Sequence, residues 1–470
     1  MTTQHWLCFF TLVLLNMSAL AKYTQGSLKR YLAQLSLPAM ITIFMNLSFI
    51  AVDTIFLAHY SDITLVAVSF CFPVVTLFQM IANGLGIAAA SVLSRCIGAG
   101  DTVKAQTIIV TLAYMILLIA IGLLPVSWLT THWVGHVLGA SHIYQPAIKA
   151  FLTTWFFGFL FVLTNFVGSN ILRVYGHPVK VARIQIISCL VNLALSPLLI
   201  FVFDWGIVGS ALAGVIARLI TSVWIIRLIH QLAFPERCCL TIKVSNFTKQ
   251  ANDIIKIAIP AIMTNAIGPL ATMFLVHLLA RYGDSVVAGY GIASRIELLA
   301  VVPLFALSGS VGPIIGQNFG ATLFNRSYST LKISFCACVL WGLIITAALL
   351  IFGHALSLCF SHDISILHVA TLYLCVLPCS YASWGIIMMT NSNFNAIGKP
   401  LISTGVTCLR LGILFVPLCL LLGHAFGYIG IFFAFMLSNL LTSIMCLYLT
   451  RNTWRKRIKM QHILPPQITQ

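Results

Sequence analysis

Apolar runs of helical length, separated by short polar segments, recur along the whole of this chain. A transmembrane helix needs about 20 mainly apolar residues, and each run is at least that long. Six runs precede a more polar segment at 231–249, and six follow it. The predicted spans are residues 33–58, 63–91, 105–129, 145–172, 180–203, 206–230, 250–280, 285–311, 328–352, 364–390, 400–422 and 426–450. The pattern therefore predicts an all-α polytopic membrane protein with twelve transmembrane helices in two six-helix lobes.

The two halves of this pattern are copies of each other. With a shift of 222 residues, Pro38-Ala39 falls on Pro260-Ala261. The same shift pairs Gly98 with Gly320, Gly176 with Gly398 and Pro178 with Pro400. From the fifth span the shift drifts slightly, and Pro197 pairs with Pro417 and Gly209 with Gly430. Because each copy has an even number of spans, both copies have the same orientation in the membrane. A cleft between two such lobes is the usual place for a transport site.

The same pattern sets the predicted domain boundaries. The N-terminal lobe covers 23–230, residues 231–249 form a cytoplasmic linker, and the C-terminal lobe covers 250–450. A basic cytoplasmic tail follows at 451–470. Residues 1–22 are an apolar N-terminal extension of uncertain status. The start of this extension lacks the Lys or Arg that usually begins a secretory signal, and we assign the extension to neither lobe.

Composition and charge narrow the class of protein. Hydrophobic residues make up 60% of the chain and charged residues 7%, which leaves too little polar surface for a soluble protein. Of the 26 Lys and Arg residues, 21 fall on one side of the predicted membrane, three fall inside spans, and only Lys149 and Arg281 fall on the other side. This bias predicts an inner-membrane protein with both termini in the cytoplasm. The net charge of +17 thus indicates topology and attraction to anionic lipid on the cytoplasmic face, rather than nucleic-acid binding.

The sequence lacks the motifs of metal-binding, nucleotide-binding and nucleophilic sites. The 14 cysteines form no CxxC pair and no cluster with histidine at ligand spacing, so we expect no metal site. The sequence contains no Walker nucleotide loop and no nucleophile elbow. We therefore expect no enzyme and no cofactor, and we expect an ion gradient, of protons or sodium ions, to supply the energy for any transport.

The first predicted span carries the leading candidate for ion binding. Leu35–Ala58 reads LSLPAMITIFMNLSFIAVDTIFLA, and its single carboxylate is Asp53. Asn46 lies two helical turns before Asp53 and Thr42 one turn earlier, so the three predict a polar stripe on an apolar helix. An ionisable residue inside a span costs about 3 kcal/mol and usually faces a cavity or a partner. The alternative is that Asp53 lies near the membrane surface and is simply hydrated.

Glu297 is the second acid that lies well inside a span, and it belongs to the other lobe. Arg295 precedes it by two residues, so on a helix the two side chains point about 160° apart and do not pair. The candidates for contact with substrate in the cleft are Asn46, Asn165, Arg295 and Glu297. For Arg410 we expect hydrogen bonds to helix ends.

Motifs along residues 30–450 carry a family resemblance. They are AVDTIFLAHYSD, SRCIGAGD, RVYGHP, NLALSPLLIF, DWGIVGSALA, GYGIASRIELLAVVP and GQNFGA. Taken in order, they resemble multidrug and toxic compound extrusion (MATE) transporters, most closely the DinF-like prokaryotic branch. The resemblance implies a MATE-like fold and an alternating-access antiporter that exports organic, often cationic, compounds against an inward flow of protons or sodium ions. It also implies that Asp53 is the coupling carboxylate.

The chain departs from that branch at the implied cation site. The fifth-span motif usually reads N-x-x-x-D-P, and here Asn192 is kept but Ser196 replaces the aspartate. The typical sixth-span threonine is Gly214, and Gly268 lies near the position of an acid in the seventh span of another branch. The implied cation-coupling set is therefore Asp53, Asn192 and Ser196.

This depleted set favours protons over sodium as the coupling ion. A sodium site needs several hard oxygen ligands, whereas a proton needs only one carboxylate whose environment can change. A hydrogen bond from Asn192 would favour the charged form of Asp53.

One rival function is a lipid-linked saccharide flippase of the same superfamily, which would bind a pyrophosphate. Arg218, Arg295 and Arg410 outnumber the two acids within spans, which favours this rival. The count of twelve rather than fourteen spans and the motif match argue against it. Our interpretation is a monomeric exporter of small organic compounds, cationic or amphipathic.

Overall fold

The computed structural model describes residues 21–137, 139–234 and 244–463, and they form helices joined by short turns. These described residues contain fifteen α-helices: α1 Leu28–Tyr60, α2 Asp62–Gly98, α3 Thr102–Val137, α4 Gln145–Phe157, α5 Phe159–Val174, α6 Pro178–Pro197, α7 Gly206–Ala233, α8 Val244–Ala280, α9 Asp284–Ala300, α10 Val302–Gly320, α11 Phe324–Leu358, α12 Ile364–Val376, α13 Tyr381–Ala396, α14 Pro400–Cys408 and α15 Val416–Ile463. The predicted all-α fold is confirmed.

The helices account for the twelve predicted spans. Within the described residues, nine helical segments are long and apolar enough to cross a membrane, and the bent pairs α4–α5 and α9–α10 add two more. One of the nine, Pro400–Gln461, is 62 residues long. It contains a residue with non-helical backbone angles, Gly427 (φ 63°), which divides it into two spans. The nine segments, the two bent pairs and the additional span created by the break at Gly427 together make twelve spans.

Two of the spans bend in ways that the apolar pattern did not predict. The angle is 48° between α4 and α5 and 44° between α9 and α10. The first bend lies at Gly158, where a Cβ atom would overlap the side chain of Val215 in α7. Glycine therefore lets α7 approach the bend closely.

Two spans also contain a π-helical segment. Leu198–Val202 continues α6, and Leu409–Phe415 joins α14 to α15. A π-helix places more residues in each turn than an α-helix, and such segments often occur at functional sites. The two π segments lie in the fifth and eleventh spans, which the repeat makes equivalent.

The helices extend beyond the predicted apolar runs at several ends. The first helix begins at Leu28 rather than 33, and α15 continues to Ile463 rather than ending at 450. The first part of the predicted basic tail is therefore a direct continuation of the last span. Residues 1–20 of the predicted extension, 235–243 of the predicted linker and 464–470 of the predicted tail lie outside the described residues.

The described chain packs as two units. The first contains Lys22 and Leu37–Ile262, and the second contains Tyr23–Ser36 and the residues from Met263 onward. Residues 23–36 therefore pack with the second unit and 250–262 with the first, whereas the sequence pattern assigned each segment to the opposite lobe. The predicted lobe boundaries otherwise stay predictions.

Each unit has its own aromatic core. In the first, Phe78 of α2 packs edge-to-face on Phe156 and Phe159, with ring centroids 4.7 and 5.8 Å away. In the second, Tyr373 of α12 packs edge-to-face on Phe432 of α15 at 5.0 Å. Edge-to-face contacts of this kind stabilise a core beyond the effect of burial alone.

A pair of repeated glycines makes the same kind of contact in the two units. A Cβ atom at Gly209 would lie 2.7 Å from the carbonyl oxygen of Leu199, and one at Gly430 would overlap the carbonyl oxygen of Leu422. Each glycine therefore lets the last span of its unit pack directly on the backbone of the span before it. This agrees with the internal repeat found in the sequence.

Candidate functional site

The predicted coupling acid of the first unit lies at a junction of three helices. Asp53 of α1 is half-buried. Ser210 Oγ of α7 donates a hydrogen bond to Asp53 Oδ2 at 2.7 Å, and Ser196 Oγ of α6 donates a longer one to Oδ1 at 3.4 Å. Both serines are buried. Two hydroxyl donors from two other helices thus orient the carboxylate and stabilise its charged form.

Ser210 was missed by the sequence analysis. It is one of many small polar residues in the spans, and only its position on α7 opposite Asp53 distinguishes it. The motif DWGIVGSALA contains it, but the sequence alone does not show which helix face meets the first span.

The turn between α6 and α7 positions these donors. Asp204 and Gly206 both adopt positive φ angles, 55° and 48°, which reverse the chain within a few residues. Tyr60 at the end of α1 donates a hydrogen bond to Asp204 Oδ1 at 2.8 Å. The direct packing of Gly209 on the π segment then sets α7 against the end of α6. As a result, serines from two separate helices reach the same carboxylate.

The predicted hydrogen bond from Asn192 to Asp53 is absent from the structure. Asn192 is buried, and its amide Nδ2 has no hydrogen-bond partner among the described residues. It precedes Ser196 by about one helical turn, or about 6 Å along the axis, and Ser196 is the residue of α6 that reaches the carboxylate. An unpaired buried donor costs about 1–3 kcal/mol, which makes Asn192 a candidate to bind an incoming group.

Arg218 adds a permanent positive charge to this site. Its Nη1 donates to the carbonyl oxygen of Gly214 at 3.1 Å, and its guanidinium lies 5.0 Å from the ring centre of Phe49. It interacts electrostatically with Asp53. A Cβ atom at Gly214 would lie only 2.9 Å from Nη1. The glycine that replaces the threonine of the resembling branch therefore makes room for the guanidinium.

Asn46 and Asn165, two candidates for substrate contact, have other partners in this structure. Asn46 is exposed and accepts a hydrogen bond from Gln185 Nε2 at 2.9 Å. Asn165 of α5 donates to Ser222 Oγ at 2.7 Å and accepts from Thr221 Oγ1 at 3.0 Å, both on α7. Asn165 thus joins two helices of the first unit. The substrate role of both asparagines stays a prediction.

The polar stripe predicted for the first span is discontinuous. Thr42 is buried and its hydroxyl donates to the carbonyl oxygen of Pro38 at 3.0 Å, whereas Asn46 is exposed. Side chains on one face of α1 therefore have different surroundings because their neighbours change along the helix. Asp53 alone of the three reaches the hydroxyls of α6 and α7.

Glu297 is the centre of a second polar cluster, in the second unit. It is 9% exposed, and Tyr373 Oη of α12 donates a hydrogen bond to its Oε2 at 2.7 Å. Its other oxygen, Oε1, has no partner among the described residues. The hydroxyl of Tyr381 lies beside the same carboxyl group. Arg295 is exposed whereas Glu297 is buried, so the two point apart as their spacing predicted.

Arg410 lies in the π segment of the eleventh span and is 8% exposed. Its guanidinium contacts side chains rather than the helix ends that we expected. Nη1 lies 3.5 Å from Asn439 Oδ1, and the guanidinium carbon is 5.8 Å from the ring centre of Trp384. Arg410 and Glu297 interact electrostatically. Each unit therefore contains an acid inside a span that interacts with an arginine inside another span, although the repeat does not place these residues at equivalent positions.

Comparison with known proteins matches both halves of the chain to one family. The model of the MatE family matches residues 38–198 and 260–421, one match in each half of the chain. A protein of Shewanella oneidensis named FAD transporter is 30% identical over 431 residues, which cover 90% of this chain and 94% of that protein. The multidrug export protein MepA of Staphylococcus aureus is 24% identical over 422 residues, 89% of this chain and 93% of MepA.

A solved structure shows the same fold. The crystal structure of the Vibrio cholerae MATE transporter VcmN in the bent form superposes with a TM-score of 0.84 at 26% sequence identity. The match covers 94% of this chain and 98% of VcmN.

Proposed function

Because this chain belongs to the MatE family of multi-pass membrane transporters, we propose that it is a secondary antiporter. It exports small organic compounds across the cytoplasmic membrane and takes up protons in exchange. The observation that carries the proposal is Asp53, a carboxylate inside the first span that accepts hydrogen bonds from hydroxyls of two other helices. A group of this kind binds a proton when the donors move away and releases it when they return.

The surroundings of Asp53 favour a proton over a sodium ion. A sodium ion needs several oxygen ligands, and this cluster offers one carboxylate and two hydroxyls. Arg218, which interacts electrostatically with Asp53, adds a fixed positive charge that repels a second cation, and this repulsion is stronger in a site with little water. A proton adds to the carboxylate without further ligands.

The test uses purified protein in proteoliposomes and ethidium as a fluorescent organic cation. A pH gradient or a sodium gradient is imposed alone, and ethidium movement is recorded. We expect the pH gradient to drive export and Asp53→Asn to abolish it, while the thermal unfolding of the variant stays unchanged. Asp62→Asn, which removes an exposed carboxylate at the start of α2, is the matched control and should transport normally.

Two results would contradict the proposal. Normal gradient-driven export by Asp53→Asn would remove this carboxylate from the coupling mechanism. Transport driven by sodium at symmetric pH, without any response to the pH gradient, would show that the cluster binds sodium after all.

A second candidate substrate is an anionic dinucleotide such as FAD. The relative at 30% identity is named an FAD transporter, and each unit of this chain contains an arginine close to its acid. Guanidinium groups suit phosphate recognition. The transport assay is repeated with FAD in place of ethidium under the same imposed gradients. The compound that the protein exports decides between the two substrate classes. The proteins named above are an FAD transporter, a multidrug export protein and a MATE transporter, and none of these names supports the flippase alternative.

A further inference from the structure

The last span does not end at the predicted membrane boundary. After Gly427 the helix α15 continues to Ile463, well beyond the predicted end of the apolar run at 450. This extension contains five basic residues between 451 and 459, and the sequence 451–463 contains no acidic residue. The basic residues are therefore part of a rigid helix that continues a membrane span.

One face of this extension is fixed to the second unit. Trp454 is fully buried and packs on Phe319 and Phe324, with ring centroids 6.3 and 6.4 Å away. Arg457 lies over the ring of Phe319 at 4.7 Å. Gln461 Nε2 donates to the carbonyl oxygen of Thr322 at 3.0 Å. These contacts attach three successive turns to the corner between α10 and α11, so the extension has a fixed rotation about its own axis.

A second face of the helix forms a single exposed stripe that changes from apolar to cationic along its length. Its inner part is apolar: Leu441, Ile444 and Tyr448 are 42%, 65% and 67% exposed. Its outer part is cationic, with Arg451, Arg455 and Lys459 all exposed. Successive members are three or four residues apart, so they lie on one face of the helix. Lys456, also exposed, widens the cationic part.

We propose that this stripe is a binding site for anionic phospholipids, whose phosphate headgroups contact the cationic part and whose acyl chains lie along the apolar part. The continuity of the stripe identifies a lipid rather than a soluble anion. A soluble anion would need only the basic residues, whereas the exposed apolar residues directly before them suit hydrocarbon. Tyr448 lies where the two parts meet, which is the usual depth of tyrosine at a membrane interface. The positive-inside pattern predicts that this end lies at the cytoplasmic leaflet, which is rich in anionic lipid in many membranes.

The site does not depend on what the protein transports, so its test measures lipid binding directly. Full-length purified protein in detergent is titrated with phosphatidylglycerol or phosphatidylcholine, and bound lipids are counted by native mass spectrometry. For the wild-type protein we expect phosphatidylglycerol to bind about tenfold more tightly than phosphatidylcholine. Soluble glycerol phosphate, which has the same charged group without acyl chains, should compete poorly.

The quadruple variant R451Q/R455Q/K456Q/K459Q should lose this preference while thermal unfolding shows that it still folds. The control variant K149Q/R281Q removes the two basic residues predicted on the other side of the membrane and should keep the preference. If the quadruple variant is unstable, the pair R455Q/K459Q replaces it and should reduce the preference several-fold. An undiminished preference in a folded variant, or competition by glycerol phosphate as effective as that by the lipid, would overturn the proposal.

Discussion

Replacing Ser210 by alanine should weaken the stabilisation of the charged form of Asp53, the proposed coupling carboxylate. The hydrogen bond from Ser210 Oγ is 2.7 Å long, whereas that from Ser196 is 3.4 Å long. A short hydroxyl bond to a carboxylate contributes about 1.5–3 kcal/mol, because one partner is charged. Without it the carboxylate is less stable when charged, so Asp53 binds its proton at higher pH.

The size of the expected shift follows from these values. One pH unit corresponds to about 1.4 kcal/mol, so the pH at which export is half-maximal should rise by about 1–2 units in Ser210→Ala. The assay is ethidium export from proteoliposomes at a series of external pH values, with the same initial gradient each time. Thermal unfolding in detergent checks that the variant retains its fold.

Ser196→Ala is the matched control for this prediction. It removes a hydroxyl from the same carboxylate, but the bond is at the outer limit of hydrogen-bond length and contributes much less. We therefore expect a shift less than half as large. An unchanged midpoint in Ser210→Ala, a downward shift, or equal shifts in the two variants would refute the reasoning that links hydrogen-bond length to proton binding at Asp53.

Two further predictions concern Glu297 and the repeated glycines. Glu297→Gln should weaken the binding of cationic substrates by about tenfold, the equivalent of about 1.4 kcal/mol, and spare neutral ones, as measured by ligand-induced changes in tryptophan fluorescence. An equal loss for both classes would show a structural role. Gly209→Ala and Gly430→Ala should each destabilise the protein by about 1–3 kcal/mol, seen as a lower thermal midpoint, because the new methyl group meets backbone atoms. Gly405→Ala, where a methyl group meets open space, should not; equal effects in all three variants would contradict this packing argument.

The spans and their repeat were predictable because they depend on composition over long windows. Every predicted run contains a helix, and the equivalent glycines Gly209 and Gly430 make matching contacts in the structure. The bend at Gly158 and the bend between α9 and α10, at Val301, were not predictable, since neither residue interrupts its apolar run. A bend depends on which neighbouring helix approaches, and a single sequence does not show this.

The candidate site was partly predictable for a similar reason. Asp53 stands out because a carboxylate is rare within an apolar run, and Ser196 stands out because it replaces an aspartate in a familiar motif. Ser210 has neither feature, and only the packing of α7 on α6 shows its role. Asn192 was expected to bond to Asp53, but the residue of α6 that donates to the carboxylate is Ser196. The sequence therefore singled out Asp53 as the candidate acid, whose coupling role stays a prediction, and it predicted the hydrogen-bond donors only in part.

The π segment after Pro197 affects how this site can change through insertion and deletion. A π-helical turn holds one residue more than an α-helical turn, and one residue corresponds to about 100° of rotation about an α-helix. Deleting a single residue from Leu198–Val202 would restore a regular turn and rotate Ser196 relative to the turn that leads into α7. The helix would keep its length within about 1.5 Å, and its apolar composition would be almost unchanged. A membrane span is usually compared between relatives by its substitutions, but here the loss of one apolar residue would change the position of Ser196 relative to Asp53.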